Sequence, residues 1–208
     1  MKNIIFDLGN VLILFDPSGY VNRSVSPEKR EKFLDVVFRS REWKNLDLGT
    51  LTYDNAKKIF KEKLKDCDYE VEMLFGDNLF GLLKPIVKNT ELLKKLKENY
   101  NLYILSNFHK ESFETVSSKH EFFNYFDGGI VSAYYQCIKP DEKIYRLLID
   151  KYNLKPEETL FIDDMAENVE AAGKIGIDTI HLTDYNALSE RLKNKNLNYT
   201  IKCNTPKK

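Results

Sequence analysis

The 208-residue chain is 42% hydrophobic, long enough for one good-sized domain or a core with a small insertion, and too apolar for wholesale disorder. Its 32 Lys and Arg balance 32 Asp and Glu, so net charge offers no reason to expect nucleic acid as the partner. Three widely separated cysteines (Cys67, Cys137 and Cys203) argue against a disulfide framework or a zinc site and for reduced thiols in a cytoplasm.

The first strand-like run is Ile4-Ile5-Phe6, which stops at Asp7-Leu8-Gly9-Asn10. Short, fully apolar runs of this kind suit buried parallel strands. The apolar start reaches only Phe15, contains Asp7 and lacks a small-residue cleavage site. It is too short to span a bilayer, so no membrane partner is expected. A cytoplasmic monomer is the expectation.

Residues 16–83 break the strand pattern. Amphipathic helices are predicted over residues 27–40, 51–65 and 70–83, with no strand among them. A strand–helix rhythm then takes over. A helix is predicted over residues 90–99, with Asn89 as its N-cap. The strand Leu102-Tyr103-Ile104-Leu105 follows, ending in Ser106-Asn107 before a helix that starts near Lys110. Gly129-Ile130-Val131 is a weaker strand, followed by Lys139-Pro140 and a helix over 141–152. Thr159-Leu160-Phe161-Ile162 ends in Asp163-Asp164, and a helix over 166–175 stops at Gly176. Thr179 to Leu182 is the last strand, and the polar tail from 194 to 208 receives no element. The fold class is therefore α/β: a Rossmann-like, three-layer core with a mostly parallel sheet. The core spans residues 1–15 and 84–208, and a small all-helical cap, 16–83, follows the first strand.

Ligands of open α/β sheets bind beyond the carboxyl ends of the strands. Asp7, Ser106-Asn107 and Asp163-Asp164 all end strands, so they should share one crevice. Carboxylates about 4 Å apart repel by about 4 kcal/mol at an effective dielectric near 20. Such a cluster holds protons or a cation, and an all-oxygen set suits Mg²⁺. Ser106 and Asn107 lie ahead of a helix N-terminus, a natural anion cradle. Lys139 is held extended by Pro140, which is predicted at the first helical position. Its ammonium suits a phosphate and a carboxylate. A nucleophile, a metal and phosphate clamps together point to phosphoryl transfer, with Asp7 forming an aspartyl-phosphate.

The four segments Phe6-Asp7-Leu8-Gly9-Asn10-Val11, Leu105-Ser106-Asn107, Lys139-Pro140-Asp141 and Ile162-Asp163-Asp164-Met165-Ala166-Glu167-Asn168 resemble, in order, the four motifs of haloacid dehalogenase-like (HAD) hydrolases. The likeness covers nearly the whole chain, with residues 16–83 at the family's helical cap position. Asp-Leu-Gly-Asn-Val, with Trp43, Asp47 and Gly49 in the cap, is similar to a branch of bacterial sugar-phosphate phosphatases of the glucose-1-phosphate type. That branch is related to the phosphatase domain of soluble epoxide hydrolase. The resemblance implies a Mg²⁺-dependent phosphatase acting on a small phosphorylated metabolite, a sugar phosphate by preference. It implies Asp7 as nucleophile; Asp7, the Gly9 carbonyl and Asp164 as metal ligands; and Asp163 supporting the metal or its waters. It also implies Ser106, Asn107 and Lys139 on the phosphoryl group, with Lys139 steadying Asp7, and Asn168 one layer out.

One position departs from the pattern. Most family phosphatases carry a second Asp two residues after the nucleophile, as general acid and base, and here that residue is Gly9. Asp16 and His109 are the candidate replacements. Trp43 reads as substrate wall or as cap core. Two rival functions follow: a metal-free 2-haloacid dehalogenase using Asp7 against carbon, and a non-catalytic module that binds phosphorylated ligands.

Overall fold

The structure is a computed structural model that describes residues 1–197, apart from the side chains of residues 77, 78 and 80. Cys203 and most of the tail lie outside the described residues. In chain order the strands are β1 (Asn3–Phe6), β2 (Ile13–Leu14), β3 (Lys84–Pro85), β4 (Asn101–Ser106), β5 (Gly128–Val131), β6 (Thr159–Asp163) and β7 (Asp178–His181). Five form one parallel sheet in the order β5-β4-β1-β6-β7. β1 lies between β4 and β6, where the order of connection reverses. That switch point is where a parallel sheet opens a crevice.

Residues alternate across the sheet as a strand's two-residue period requires. Ile4, Phe6, Leu102, Ile104, Leu160 and Ile162 face one apolar cluster. Ile5, Tyr103, Leu105 and Phe161 face another. Each fully buried side chain of this size contributes about 1.5–3 kcal/mol. Burial on both faces explains why the strand runs in the sequence are apolar throughout.

Between β2 and β3 the chain forms α1 (Pro17–Ser24), α2 (Arg30–Phe33), α3 (Arg41–Asp47), α4 (Tyr53–Lys63), α5 (Asp68–Met73) and α6 (Leu79–Leu82). These helices surround their own cluster, which includes Tyr20, Phe33, Val37, Leu46, Phe60, Val71 and Leu74. Ser40 and Thr52 cap α3 and α4, accepting hydrogen bonds from Trp43 N at 3.1 Å and Asn55 N at 3.4 Å. The helix expected over 70–83 begins instead at Asp68 and is kinked where Gly76 leaves helical geometry. A feature with no signal in the sequence is the antiparallel pairing of Ile13 with Pro85 and Leu14 with Lys84. It ties together the two chain segments that enter and leave the helical insertion.

The later helices are α7 (Val87–Leu96), α8 (Lys110–Lys119), α9 (Glu142–Tyr152), α10 (Ala166–Lys174) and α11 (Leu188–Asn194). They pack on the sheet as the third and first layers: Leu92, Leu93, Leu96, Leu188 and Leu192 on one face, Ile144, Tyr145, Leu148 and Ala172 on the other. Gly176, at φ +86°, follows α10 as the left-handed stop. No described helix is long and apolar enough to cross a membrane.

Two local expectations are corrected. Asn89 does not cap a helix, because α7 already begins at Val87. Its buried amide instead donates to Val11 O at 2.7 Å and Tyr185 O at 2.9 Å. Two carbonyls that have lost water need that amide more than the helix needs a cap. Pro140 is not the first residue of α9. It follows Lys139 through a cis peptide bond, and α9 starts at Glu142 with Asp141 as its cap.

Asn89→Ala would strand both carbonyls. Each unmet buried group costs about 1–3 kcal/mol, so urea unfolding should show at least about 2 kcal/mol lost. A change under about 0.5 kcal/mol would place Asn89 among inconsequential positions.

Candidate active site

The parallel register brings the strand ends together. Phe6 pairs with Ile104 and with Ile162, so Asp7, Ser106 and Asp163 emerge on the same edge. The Asp7 amide donates to Ile162 O at 2.9 Å. Asp7, Ser106, Lys139, Asp163 and Asn168 are all buried. Asn107 and Asp164 are partly exposed at the mouth.

Lys139 lies at the centre. Its Nζ is 2.8 Å from Asp7 Oδ1 and 2.6 Å from Asp163 Oδ2. Burial works to lower its pKa, but the two carboxylates outweigh that and hold it above the ordinary lysine value. Asp163 accepts from Lys139 at Oδ2, from Met165 N at Oδ1 and from Asn168 Nδ2 at both oxygens, so each oxygen already has two donors. Its place is thus to hold Lys139. The Asn107 side chain is also engaged: Nδ2 donates to Lys139 O at 3.0 Å, and Oδ1 accepts from Lys139 N at 2.8 Å. Those two bonds brace the Lys139 backbone and leave one hydrogen of Nδ2 for the phosphoryl oxygen expected at Asn107.

Asp7 Oδ2 faces the crevice side of Gly9. The Asp7 carboxyl is pushed up to about 7, by burial first, with Lys139 opposing and the Asp163 charge adding. Asp164 is raised as well, by burial and by Asp163, while a hydrogen bond from Asn10 Nδ2 at 3.1 Å lowers it. Asn10 went unassigned in the sequence. It sits at φ +50°, a conformation asparagine tolerates, and its Oδ1 also accepts from Phe15 N. It thereby ties the Asp7 loop to the Asp164 loop.

Oxygens of Asp7, Asp163 and Asp164 lie within 4.8 Å of one another. With all three carboxylates ionised, one ammonium leaves a charge of −2, and with no cation to offset it burial and that crowding hold the Asp7 and Asp164 carboxyls above their ordinary range. A divalent, oxygen-seeking cation such as Mg²⁺ fits that deficit and that donor set. Asp7 and Asp164 keep the freer oxygens to offer it, whereas those of Asp163 are already shared with Lys139, Asn168 and Met165. The Ser106 hydroxyl is buried with no hydrogen-bond partner among the described residues. An orphaned donor beside an anionic cluster is poised for a ligand oxygen.

The insertion supplies the far wall. The crevice, about 520 Å³ with its open mouth, is lined by Gly9, Asn107 and Phe108 from the core side and by Trp43, Asp47 and Leu79 from the insertion. Trp43 packs against the insertion's apolar cluster and also lines the crevice. Its ring stacks on Phe15 at 5.8 Å, packs on Phe38 at 4.7 Å and still faces the crevice. Asp16 lies outside the site; it is exposed and caps α1 through Gly19 N. His109 is inside the site but buried, which pushes its pKa down to about 3 and keeps it neutral. Its Nε2 is 3.4 Å from Asp47 Oδ1, and the Tyr53 hydroxyl is 3.3 Å from Nδ1.

Comparison with known proteins agrees with this geometry. The family profile described as haloacid dehalogenase-like hydrolase matches residues 1–176. A sesquiterpene phosphatase of Aspergillus oryzae is 30% identical over 88% of this chain and 90% of its own. A D-ribitol-5-phosphate phosphatase of Bacteroides thetaiotaomicron is 25% identical over 86% of this chain and 90% of its own. A HAD family enzyme of Bacteroides thetaiotaomicron, solved in complex with magnesium and inorganic phosphate, superposes with a TM-score of 0.69 at 25% identity. That superposition covers 86% of this chain and 93% of the other. The profile match over residues 1–176 and the relative aligned over nearly its whole length place the chain in the haloacid dehalogenase-like hydrolase family.

Proposed function

We propose that the protein is a Mg²⁺-dependent phosphatase that cleaves a small phosphate monoester through an aspartyl-phosphate on Asp7. The observation that carries this reading is the Asp7–Lys139–Asp163 chain of contacts beside Asp164, with three carboxylates against one ammonium. Asp7, the Gly9 carbonyl and Asp164 would hold Mg²⁺. The ion would supply positive charge that lets a carboxylate approach an anionic ester. Lys139 orients Asp7 and takes up phosphoryl charge, and Ser106 donates its hydroxyl to a phosphoryl oxygen. Asp163 and Asn107 fix Lys139 from its two ends, and Asn168 orients Asp163. Asp7 attacks phosphorus, the ester bond breaks, and water later releases inorganic phosphate. Residues 16–83 act as the cap over the core of 1–15 and 84–208, limiting water at the reacting centre.

A dehalogenase has no use for the charge deficit at Asp7 and Asp164, so that rival is disfavoured. The sugar-phosphate reading draws support from the D-ribitol-5-phosphate phosphatase. The crevice wall favours a second reading, an ester with an apolar body. Phe15, Trp43, Leu79, Leu83 and Phe108 face it. Ser112, the wall's hydroxyl, is already bonded to Tyr53. Asp47, Asn107 and His109 are the other polar residues of this wall, and each sugar hydroxyl beyond their reach would cost about 1–3 kcal/mol. An apolar body gains about 25 cal/mol per Å² instead. The sesquiterpene phosphatase relative fits this second reading.

Asp7→Asn should lower kcat on p-nitrophenyl phosphate by at least about 10³-fold, and EDTA should silence the wild type until Mg²⁺ is restored. Activity unchanged by either would rule out the mechanism. In a substrate panel with Mg²⁺, a prenyl monophosphate should show a kcat/KM at least about tenfold above ribitol or hexose phosphates. The opposite order would return the assignment to sugar phosphates.

A further inference from the structure

Resting on the phosphatase reading, we infer that Asp47 is the general acid and base of the reaction, the part that Gly9 cannot play. Gly9 is not glycine for want of room. A Cβ built there has Asp7 Oδ2 as its nearest neighbour, at an ordinary 3.7 Å, and the backbone is not left-handed. The space where the family's second carboxylate usually stands is therefore open crevice. Among the described residues that line this crevice, Asp47 is the carboxylate, and it enters from the opposite, insertion side.

Its position is held by the core rather than by the insertion alone. The Ser132 hydroxyl, fully buried just after β5, donates to the Asp47 carbonyl at 2.5 Å. The same oxygen accepts from Phe108 N at 3.0 Å, in the loop after β4. Two residues past Asp47, Gly49 lies against the core in a left-handed conformation, φ +68°. A Cβ at Gly49 would come within 2.2 Å of Ala133 O, so only glycine permits this approach. The end of α3 is thus clamped to the two loops that flank the phosphate cradle.

The surroundings of the carboxyl suit proton transfer. His109 is neutral; its Nε2 lies 3.4 Å from Asp47 Oδ1 without making a hydrogen bond, and Tyr53, its phenol raised by burial, stands behind His109. Asp7 and Lys139 are the charged groups that act on Asp47 from the core. Burial first and the Asp7 charge second push the Asp47 carboxyl up to about 7, with Lys139 opposing. A group divided between its two protonation states at neutral pH works in both directions.

The steps balance. The Asp7 carboxylate bonds to phosphorus as the ester P–O bond breaks, and the Asp47 carboxyl gives its proton to the departing alkoxide. The Asp47 carboxylate then takes a proton from water as that oxygen attacks the aspartyl-phosphate. The P–O bond to Asp7 breaks, inorganic phosphate leaves, and Asp47 is again protonated.

The test compares wild type, Asp47→Asn and the double variant Asp47→Asn/Gly9→Asp with Mg²⁺ on two esters. An alkyl phosphate has a leaving group that needs a proton; p-nitrophenyl phosphate does not. Asp47→Asn should lower the first, phosphoryl-transfer step on the alkyl ester by about 10²–10⁴-fold and on the nitrophenyl ester by less than about tenfold. Rapid quench should then show aspartyl-phosphate accumulating on the nitrophenyl ester, because water lacks its base. In wild type kcat/KM on the alkyl ester should fall as pH rises past about 7, where Asp47 loses its proton, and this limb should vanish in Asp47→Asn. The double variant should regain at least about tenfold on the alkyl ester. Equal losses on both esters without accumulated phosphoenzyme, or no loss at all, would overturn the proposal. A wild type that never labels Asp7 would instead overturn the phosphatase reading, and this proposal with it.

Discussion

Everything at the strand ends is arranged around one buried ammonium. Lys139 bridges Asp7 and Asp163 in a pocket almost closed to water. Desolvating such a group is expensive, and the cost is offset only when its partners are well placed. The surrounding residues read as the means of placing them. Asn107 grips the Lys139 backbone at both ends, Asn168 and the Met165 amide hold Asp163, and His181 reaches the carbonyl of Asp164 at 3.0 Å. Removing Asp163 would leave a buried cation half-paired, although Asp163 itself faces no substrate.

That arrangement also explains the charge at the mouth. One ammonium cannot balance three carboxylates, and the surplus lies on Asp7 and Asp164, which still have oxygens to give. The fold cannot relieve this by spreading the groups apart, because the register of β1 against β4 and β6 sets where each strand ends. Such crowding costs stability locally, and under the proposed function a cation and a phosphoryl group would relieve it.

Core and insertion divide the work. The core loops carry the groups common to phosphoryl transfer. The insertion carries an apolar cluster of its own and presents Trp43 and Asp47 across the opening. Fold membership therefore speaks to the chemistry, while the wall of the crevice speaks to what is bound. The β2–β3 pairing at the base of the insertion and the Ser132 clamp at its far side keep the two parts in register.

Much of this was legible in the chain itself. Apolar runs ending in Asp7, Ser106 and Asp163 determine buried parallel strands whose polar ends must meet, because burial on both faces leaves no alternation and parallel strands share one carboxyl edge. The helical character of residues 16–83 was equally plain from its periodicity. What lay beyond the sequence were contacts between segments far apart in it. Asn89 looked like a cap because local pattern cannot reveal that Val11 and Tyr185 present it with bare carbonyls. Nothing local shows that the Asn107 side chain also braces the backbone of Lys139, thirty-two residues further on. Asp47 could be quoted as part of a cap motif, but only tertiary structure decided that it lines the same crevice as Gly9. That placement depends on Ser132 and Ala133, more than eighty residues away along the chain, and on a close approach that only Gly49 allows.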